Sequence, residues 1–391
     1  MNRILIYRWK AYLYEDIIEA FHRLGYATEE MSQHFLNYEL DDDFAEKMRM
    51  KLHEGRYAFV FTVNYFPLIS EICHEEGILY VSWACDSPLI SMYHASVFYD
   101  TNRIFHFDRV AEQEFYDAGV KNLWHLPLTT NIERNRKAIE NPGRVAGAEH
   151  DISFIGRLYE RNSYDRVEGN LPDYLKGYLD SAILAQSGLY GANIIDRILT
   201  PDILAELGLY FELKKSEESF SSLGLIFETT TLGFKIAQVQ RNRALTMLSQ
   251  NYPHRVFLYT SVPTPDLMLV ENMGLVDYWE EAPYIFHHTK VNLNLTIPNI
   301  RMGIPLRVWD VMGSAGACLT NYQAELEEYF TNGKELMWFR SQEEMKDRVD
   351  FLLRHEDERQ RMAQRGLEAV EELGGYEDRL KEILRMIKVT S

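Results

Sequence analysis

The sequence predicts an α/β protein of two Rossmann-like domains facing a central cleft, with a helical insertion in the second. Strand-like and helix-like segments alternate through the first third of the chain, and the alternation resumes beyond residue 250. Between them, from about 164 to 250, apolar residues follow helical spacing without an evident strand. A length of 391 residues fits two domains at roughly 150 residues each.

The first domain is expected over residues 1–145. Arg3 to Tyr7 reads as a strand, Tyr14 to Leu24 as a helix, the stretch near Ala27 as a short strand and Asp42 to Glu54 as a helix. Strands then follow at Tyr57 to Val63, Ile78 to Ala84, Arg103 to Phe107 and Lys121 to Leu126, separated by helices at Pro67 to Glu76 and Ala111 to Ala118. Strands alternating with helices of this length make a parallel sheet covered on both faces. Arg8, Trp9 and Lys10 follow the first strand where a dinucleotide-binding domain carries GxGxxG, so a dehydrogenase loses its main support.

Between about Asn131 and His150 the chain becomes polar, and the run NPGRVAGAEHD, 141–151, marks a linker; the second domain is expected over 146–375. Ile152 to Ile155 is a strand closed by Gly156 and Arg157, a flexible turn with a cation at the strand's carboxyl end. The insertion carries helices at Asp173 to Ala185, Ile194 to Leu207 and Leu232 to Leu248. Strands at Val256 to Tyr259 and Val276 to Tyr278 and a helix at Pro283 to Thr289 lead to VNLNLTIPNIRMGIPLRVWDVMGSAGACLTN. There Val291, Leu293 and Leu295 alternate with asparagines as a strand, Pro298, Gly303 and Pro305 break the chain, and Leu306 to Ser314 has helical spacing. Ala317 to Thr320 closes the βαβ unit, and Leu336 to Phe339 adds a strand. Ser341 opens a helix with Glu343 and Glu344 in its first turn, and Gly374-Gly375 sets off a terminal helix.

Hydrophobic residues at 46% and charged residues at 26% place the chain among globular proteins. Lys and Arg number 41 against 59 Asp and Glu, and a net charge of −18 opposes a phosphate backbone or an anionic membrane, so no nucleic acid is expected as partner. Cys73, Cys85 and Cys318 lie far apart without metal spacing, as suits a reducing compartment. MNRILIYRWKAY has too short an apolar run for a signal peptide, and no segment approaches the roughly 18 apolar residues of a membrane span. A cytoplasmic location is expected.

Open α/β sheets bind ligands at the carboxyl ends of their strands. In the second domain those ends carry Gly156, Arg157, Asn294, Arg301, Arg307 and Asp310; in the first they carry Arg8, Trp9, Asn64, Tyr65, Asp86 and Asp108. The arginines are the electrostatic oddity. A helix N-terminus bears partial positive charge, so Arg307 in its first turn and Arg301 just before it are badly placed unless an anion sits there. Arg307 and Asp310, one turn apart, read either as an ordinary ion pair or as a nucleotide grip, with the arginine on a diphosphate and the aspartate on ribose hydroxyls. Asp41 to Asp43 contains an Asp-x-Asp spacing that fits a metal, but acids at a helix start are expected from capping. His287-His288 is a poor metal pair, so no metal site is expected.

VNLNLTIPNIRMGIPLRVWDVMGSAGACLTNYQAELEEYF resembles the donor-binding half of bacterial CgeB-like glycosyltransferases, a branch of the GT-B superfamily. HDISFIGRLYERN resembles the opening of that family's second domain, and YVSWACDSPL, RIFHFDR and NLWHLPLTTN resemble its N-terminal DUF3880 segments. Within the insertion only QVQRNRALTMLSQNYPHRVFLYT is similar. The resemblance implies a nucleotide-sugar, expected to be a UDP-sugar, bound mainly by the second domain and an acceptor bound mainly by the first. It implies no cofactor or obligatory metal, and a terminal helix, 376–391, that joins the first domain. In related enzymes a Glu-x7-Glu motif holds the donor; its second acid corresponds to Asp310, while Met302 replaces the first, which leaves stereochemistry open.

Departure of a nucleoside diphosphate needs positive charge, the role expected of Arg307, Arg157 and the helix N-terminus. An inverting enzyme also needs a base for the acceptor hydroxyl: Asp86 is the first choice, with Asp108 and His94 behind it, although an aspartate before Ser-Pro also caps turns. Arg8, Trp9 and Asp108 are the acceptor-side candidates. A nucleotide-sugar epimerase of the same fold and a binding protein that has lost catalysis are the alternatives.

Overall fold

The computed structural model describes residues 2–35, 37–212 and 214–389. The chain divides into two compact units. The first holds the residues up to Leu128, a short return at Lys215–Ser221 and everything from Gly374 onward; the second holds Thr129–Lys214 and Ser222–Leu373. The division thus falls at Leu128 rather than near 145. The expected linker contains a helix, Ile132–Glu140, capped by Asn131, whose Oδ1 accepts from the Arg134 amide at 3.0 Å.

The first unit is a six-stranded parallel sheet: β1 (Arg3–Tyr7), β2 (Ala27–Met31), β3 (Val60–Val63), β4 (Tyr80–Ala84), β5 (Asn102–His106) and β6 (Leu123–His125), in the order β2-β1-β3-β4-β5-β6. All of β3, β4 and β5 is buried, including Asn102, Arg103 and His106 of β5, as strands of a sheet covered on both faces should be. The helix Asp42–Glu54 is capped by Asp41, which accepts from the Phe44 amide at 3.0 Å, and Asp43 pairs with Lys47, so the Asp-x-Asp run is a helix start.

The second unit is another six-stranded parallel sheet: β7 (His150–Ile155), β8 (Val256–Tyr259), β9 (Val270–Asn272), β10 (Thr289–Asn294), β11 (Cys318–Asn321) and β12 (Met337–Phe339), ordered β12-β11-β10-β7-β8-β9. Two sequence expectations fail here. Val276 to Tyr278 is no strand; β9 lies earlier, paired Val256 to Val270, and Gly274 at φ +75° turns the chain away after it. Ile194 to Leu207 is two helices, Ile195–Ile198 and Pro201–Leu207, because Pro201 donates no amide and Thr200 caps a new start. The insertion packs its own core from Tyr164, Leu175, Leu179, Ile183, Phe227 and Ile236.

The strand orders fix where ligands bind. In the first unit the order reverses at β1 and β3, in the second at β7 and β10, and such switch points open a crevice at the carboxyl ends of the two strands. No described helix is long and apolar enough to cross a membrane. The three cysteines are free, with Cys73 and Cys318 buried.

Candidate functional site

In the second unit, the helix Leu306–Gly313 begins at Pro305, whose extended ψ of 152° sets the turn, and no side chain caps its first amides. Arg307 lies in that first turn with its guanidinium carbon 5.2 Å from the Phe286 ring centre, and its Nη1 is buried with no hydrogen-bond partner among the described residues. Asp310, one turn on, is 3% exposed. Its Oδ1 accepts from Thr130 Oγ1 at 2.9 Å and from Tyr278 OH at 3.1 Å, while Oδ2 is enclosed without a partner among the described residues. Burial pushes this carboxyl up, and the Arg307 and Arg134 charges and the two hydroxyls pull it down. Arg307 and Asp310 form no ion pair, so the ordinary surface-pair reading does not describe them. Each keeps an unsatisfied polar atom inside the protein, and such an atom costs about 1–3 kcal/mol.

At the switch point itself, the Gly156 amide donates to Tyr259 O and the exposed Arg157 side chain makes no hydrogen bond or ion pair among the described residues. The Arg157 carbonyl accepts from Arg241 Nη1, and Arg241 Nη2 donates to Leu295 O at 2.7 Å. One guanidinium therefore ties the loop after β7 to the loop after β10. It lies 4.7 Å from the Tyr159 ring centre and 5.4 Å from that of Phe154, has no carboxylate in ion-pair range among the described residues, and is held below its ordinary range by burial, reinforced by the Arg307 charge. Sequence reasoning missed it, although a signal was present. Arg241 occupies the buried stripe of the helix Gly233–Asn251 beside Ile236, Ala237, Ala244, Leu245 and Leu248.

Asn294 has its side-chain amide nitrogen engaged within the protein. Its Nδ2 donates to Thr296 Oγ1 at 3.0 Å and Thr320 Oγ1 at 2.9 Å, and Asn321 Oδ1 accepts from the Thr296 amide, so it shapes the loop after β10. Arg301 stands half-buried in that loop. Beside Met302 the fold brings a different acid: the wholly buried Glu325, whose amide donates to Met302 O at 3.2 Å.

In the first unit Asn64 follows β3 at φ +65°, a left-handed conformation that asparagine tolerates better than most residues. Its Oδ1 accepts from the amides of Cys85 and Asp86, and its Nδ2 donates to Asp86 Oδ2 at 2.7 Å. One side chain thus aims the Asp86 carboxylate. Desolvation by the surrounding protein raises that carboxyl above its usual range, and the Asn64 bond partly offsets this, although Asp86 keeps an exposed surface. The other first-unit candidates are occupied. Arg8 ion-pairs with Glu30 at 2.7 Å and with Glu15. Trp9 packs edge-on against His34, Tyr38 and Phe66. Asp108 is fully buried, capping the helix Arg109–Asp117 through the Val110 amide and accepting from Ser87 Oγ at 2.9 Å, so it supports the turn that carries Asp86 and presents no acceptor contact.

Two parallel Rossmann-like units with these strand orders define the GT-B glycosyltransferase fold, and solved structures agree. The chain superposes on a glycosyltransferase from Rickettsia africae ESF-5 with a TM-score of 0.57 at 8% identity, covering 99% of this chain and 98% of that one. Anabaena Alr3699/HepE, solved with UDP, gives 0.54 at 8% identity over the whole of both chains. The UDP-forming α,α-trehalose-phosphate synthase of Burkholderia vietnamiensis gives 0.54 at 14%, covering 99% of this chain and all of that one. By sequence, residues 236–385, less than half of the chain, match the family described as glycosyl transferase-like. No curated protein matches by sequence.

Proposed function

We propose that this protein is a glycosyltransferase that moves a sugar from a nucleoside diphosphate sugar, with UDP as the nucleotide, to an acceptor hydroxyl, and that it belongs with the CgeB-like group it resembles. The observation that carries this is the start of the helix Leu306–Gly313. There an uncapped N-terminus, a buried arginine nitrogen without a partner and an enclosed carboxylate oxygen without a partner lie within one turn. A diphosphate satisfies the first two, and a ribose hydroxyl satisfies the third once the cover over Oδ2 is displaced. The solved complex of Anabaena Alr3699/HepE with UDP supports the choice of nucleotide.

The second unit holds the donor in this reading. Arg307 and Arg157, helped by Arg301, neutralise the charge that grows on the departing diphosphate, and Arg241 positions the two loops that carry them. The first unit holds the acceptor, and Asp86, aimed by Asn64, removes its proton. No metal is assigned to the reaction. Met302, standing where retaining relatives carry an acid, favours a second reading, a nucleotide-sugar-binding protein without turnover.

Calorimetric titration with UDP tests the donor grip. Arg307→Ala and Asp310→Ala, each checked for a native circular-dichroism spectrum, should weaken binding by about tenfold or more, equivalent to about 1.4 kcal/mol. Unchanged affinity in both would reject the assignment. A product assay with the sugar nucleotide alone separates transfer from epimerisation, since an epimerase needs no acceptor.

A further inference from the structure

The return segment Lys215–Ser221 leaves the helical insertion, joins the first unit and goes back. It docks by its backbone: the Ala95 amide donates to Glu218 O at 3.0 Å, the Phe220 amide donates to Tyr93 O at 2.9 Å, and His94 and Ser219 form an antiparallel bridge. This pairing fixes the position of Glu218. Its carboxylate, that of Glu71 on the helix Pro67–Glu75 and a nitrogen of His94 all lie within 4.8 Å of one another.

We propose that Glu71, His94 and Glu218 form a binding site for a divalent first-row transition cation, such as Mn2+ or Zn2+, that pins the return segment to the first unit. One imidazole and two carboxylates are the donor set such ions take. Ligands at about 2.0–2.2 Å from a tetrahedral ion stand about 3.4 Å apart, so the widest pair closes by about 1 Å on binding, a movement open to the exposed Glu218 side chain. Charge favours this closure. Neither Glu71 nor Glu218 pairs with a lysine or arginine among the described residues, and Lys215 turns its ammonium to Ser221 O at 3.1 Å. Two carboxylates brought together with no lysine or arginine beside them among the described residues leave a negative pocket around His94.

His94 supplies the independent observation. It is 3% exposed, and its Nε2 makes no hydrogen bond among the described residues but faces Glu218 Oε2 at 3.5 Å, an ion-pair contact only when the ring is protonated. Its Nδ1 has two partners on Ser96, the amide at 3.1 Å and Oγ at 2.9 Å. Accepting from the amide leaves the proton on Nε2. Donating to Oγ frees the Nε2 lone pair for a metal, and a ligating histidine is usually held by such a bond from its other nitrogen.

The test uses the full chain stripped of metal. Titration with Mn2+, followed by paramagnetic resonance of the free ion, and with Zn2+ by calorimetry should show saturable binding of one ion of at least one of the two metals. Glu218→Gln, on a side chain 60% exposed and therefore safe for folding, should weaken it about tenfold or more, as should Glu71→Gln. The bound ion should also slow tryptic cleavage after Lys214 and Lys215 in the native chain and leave it unchanged in Glu218→Gln. Neither metal binding saturably up to about 1 mM, either variant binding as the native chain does, or cleavage unaffected by the ion overturns the proposal.

Discussion

Asp86 illustrates how one residue is made chemically different from its 58 acidic fellows without a charged partner. Asn64 holds it by a single amide, and the crowding around it raises its carboxyl. Above the ordinary aspartate range the unfolded chain has already given up this proton while the folded chain resists, so ionisation of Asp86 costs stability as pH rises. Asp86→Asn should therefore leave thermal stability at neutral pH unchanged or higher, while lowering kcat about 100-fold or more if Asp86 is the base. The native kcat/KM should fall as pH drops through the raised pKa. An unaltered rate in Asp86→Asn dismisses the base role, and lower stability dismisses the electrostatic account. The aspartate was visible in the sequence, because an acid after an apolar strand is conspicuous. The Asn64 partner and the burial of Asp108, which separates the two acids, depend on residues that meet only across strands.

At the scale of elements, the βαβ unit from β10 to β11 was legible nearly to the residue, since alternating asparagines, two prolines and three glycines mark its boundaries. Gly316 shows why its turn tolerates no larger residue. A Cβ there would stand 2.6 Å from Phe286 O and 3.0 Å from Val311 O, both backbone atoms that cannot swing aside. Gly316→Ala should cost about 1–3 kcal/mol in a denaturant titration, and a change below about 0.5 kcal/mol would show that the turn relaxes. Elements with weaker punctuation were misread. Val276 to Tyr278 has the residues of a strand, but β9 takes the place beside β8 first, and strand pairing is decided by neighbours. Arg241 belongs to the same lesson: helical spacing put it on the apolar stripe, yet only the two carbonyls it meets explain a buried guanidinium there.

For the whole molecule, the terminal helix Tyr376–Val389 groups with the first unit. It buries Tyr376, Leu380, Ile383, Leu384 and Ile387, sets Tyr376 edge-on to Trp83 at 6.1 Å and donates from Arg379 Nε to Pro127 O at 3.1 Å. Five such side chains contribute on the order of 10 kcal/mol, comparable to the roughly 5–15 kcal/mol that holds a domain folded. A chain ending at Leu373 should therefore fail to give a soluble first unit, and a soluble truncation with the native melting temperature would show that the helix is dispensable. Local pattern alone determined the α/β class, the two-domain organisation, the insertion and the arginine-bearing helix start, because hydrophobic period and chain-breaking residues act over a few positions. Only the tertiary structure decided the strand orders that place the switch points, the failure of Arg307 and Asp310 to pair, the capture of Arg8 by two glutamates and the docking of Lys215–Ser221. Each of these depends on groups distant in sequence, whose meeting is set by how sheets and helices pack and by which buried polar atoms find partners.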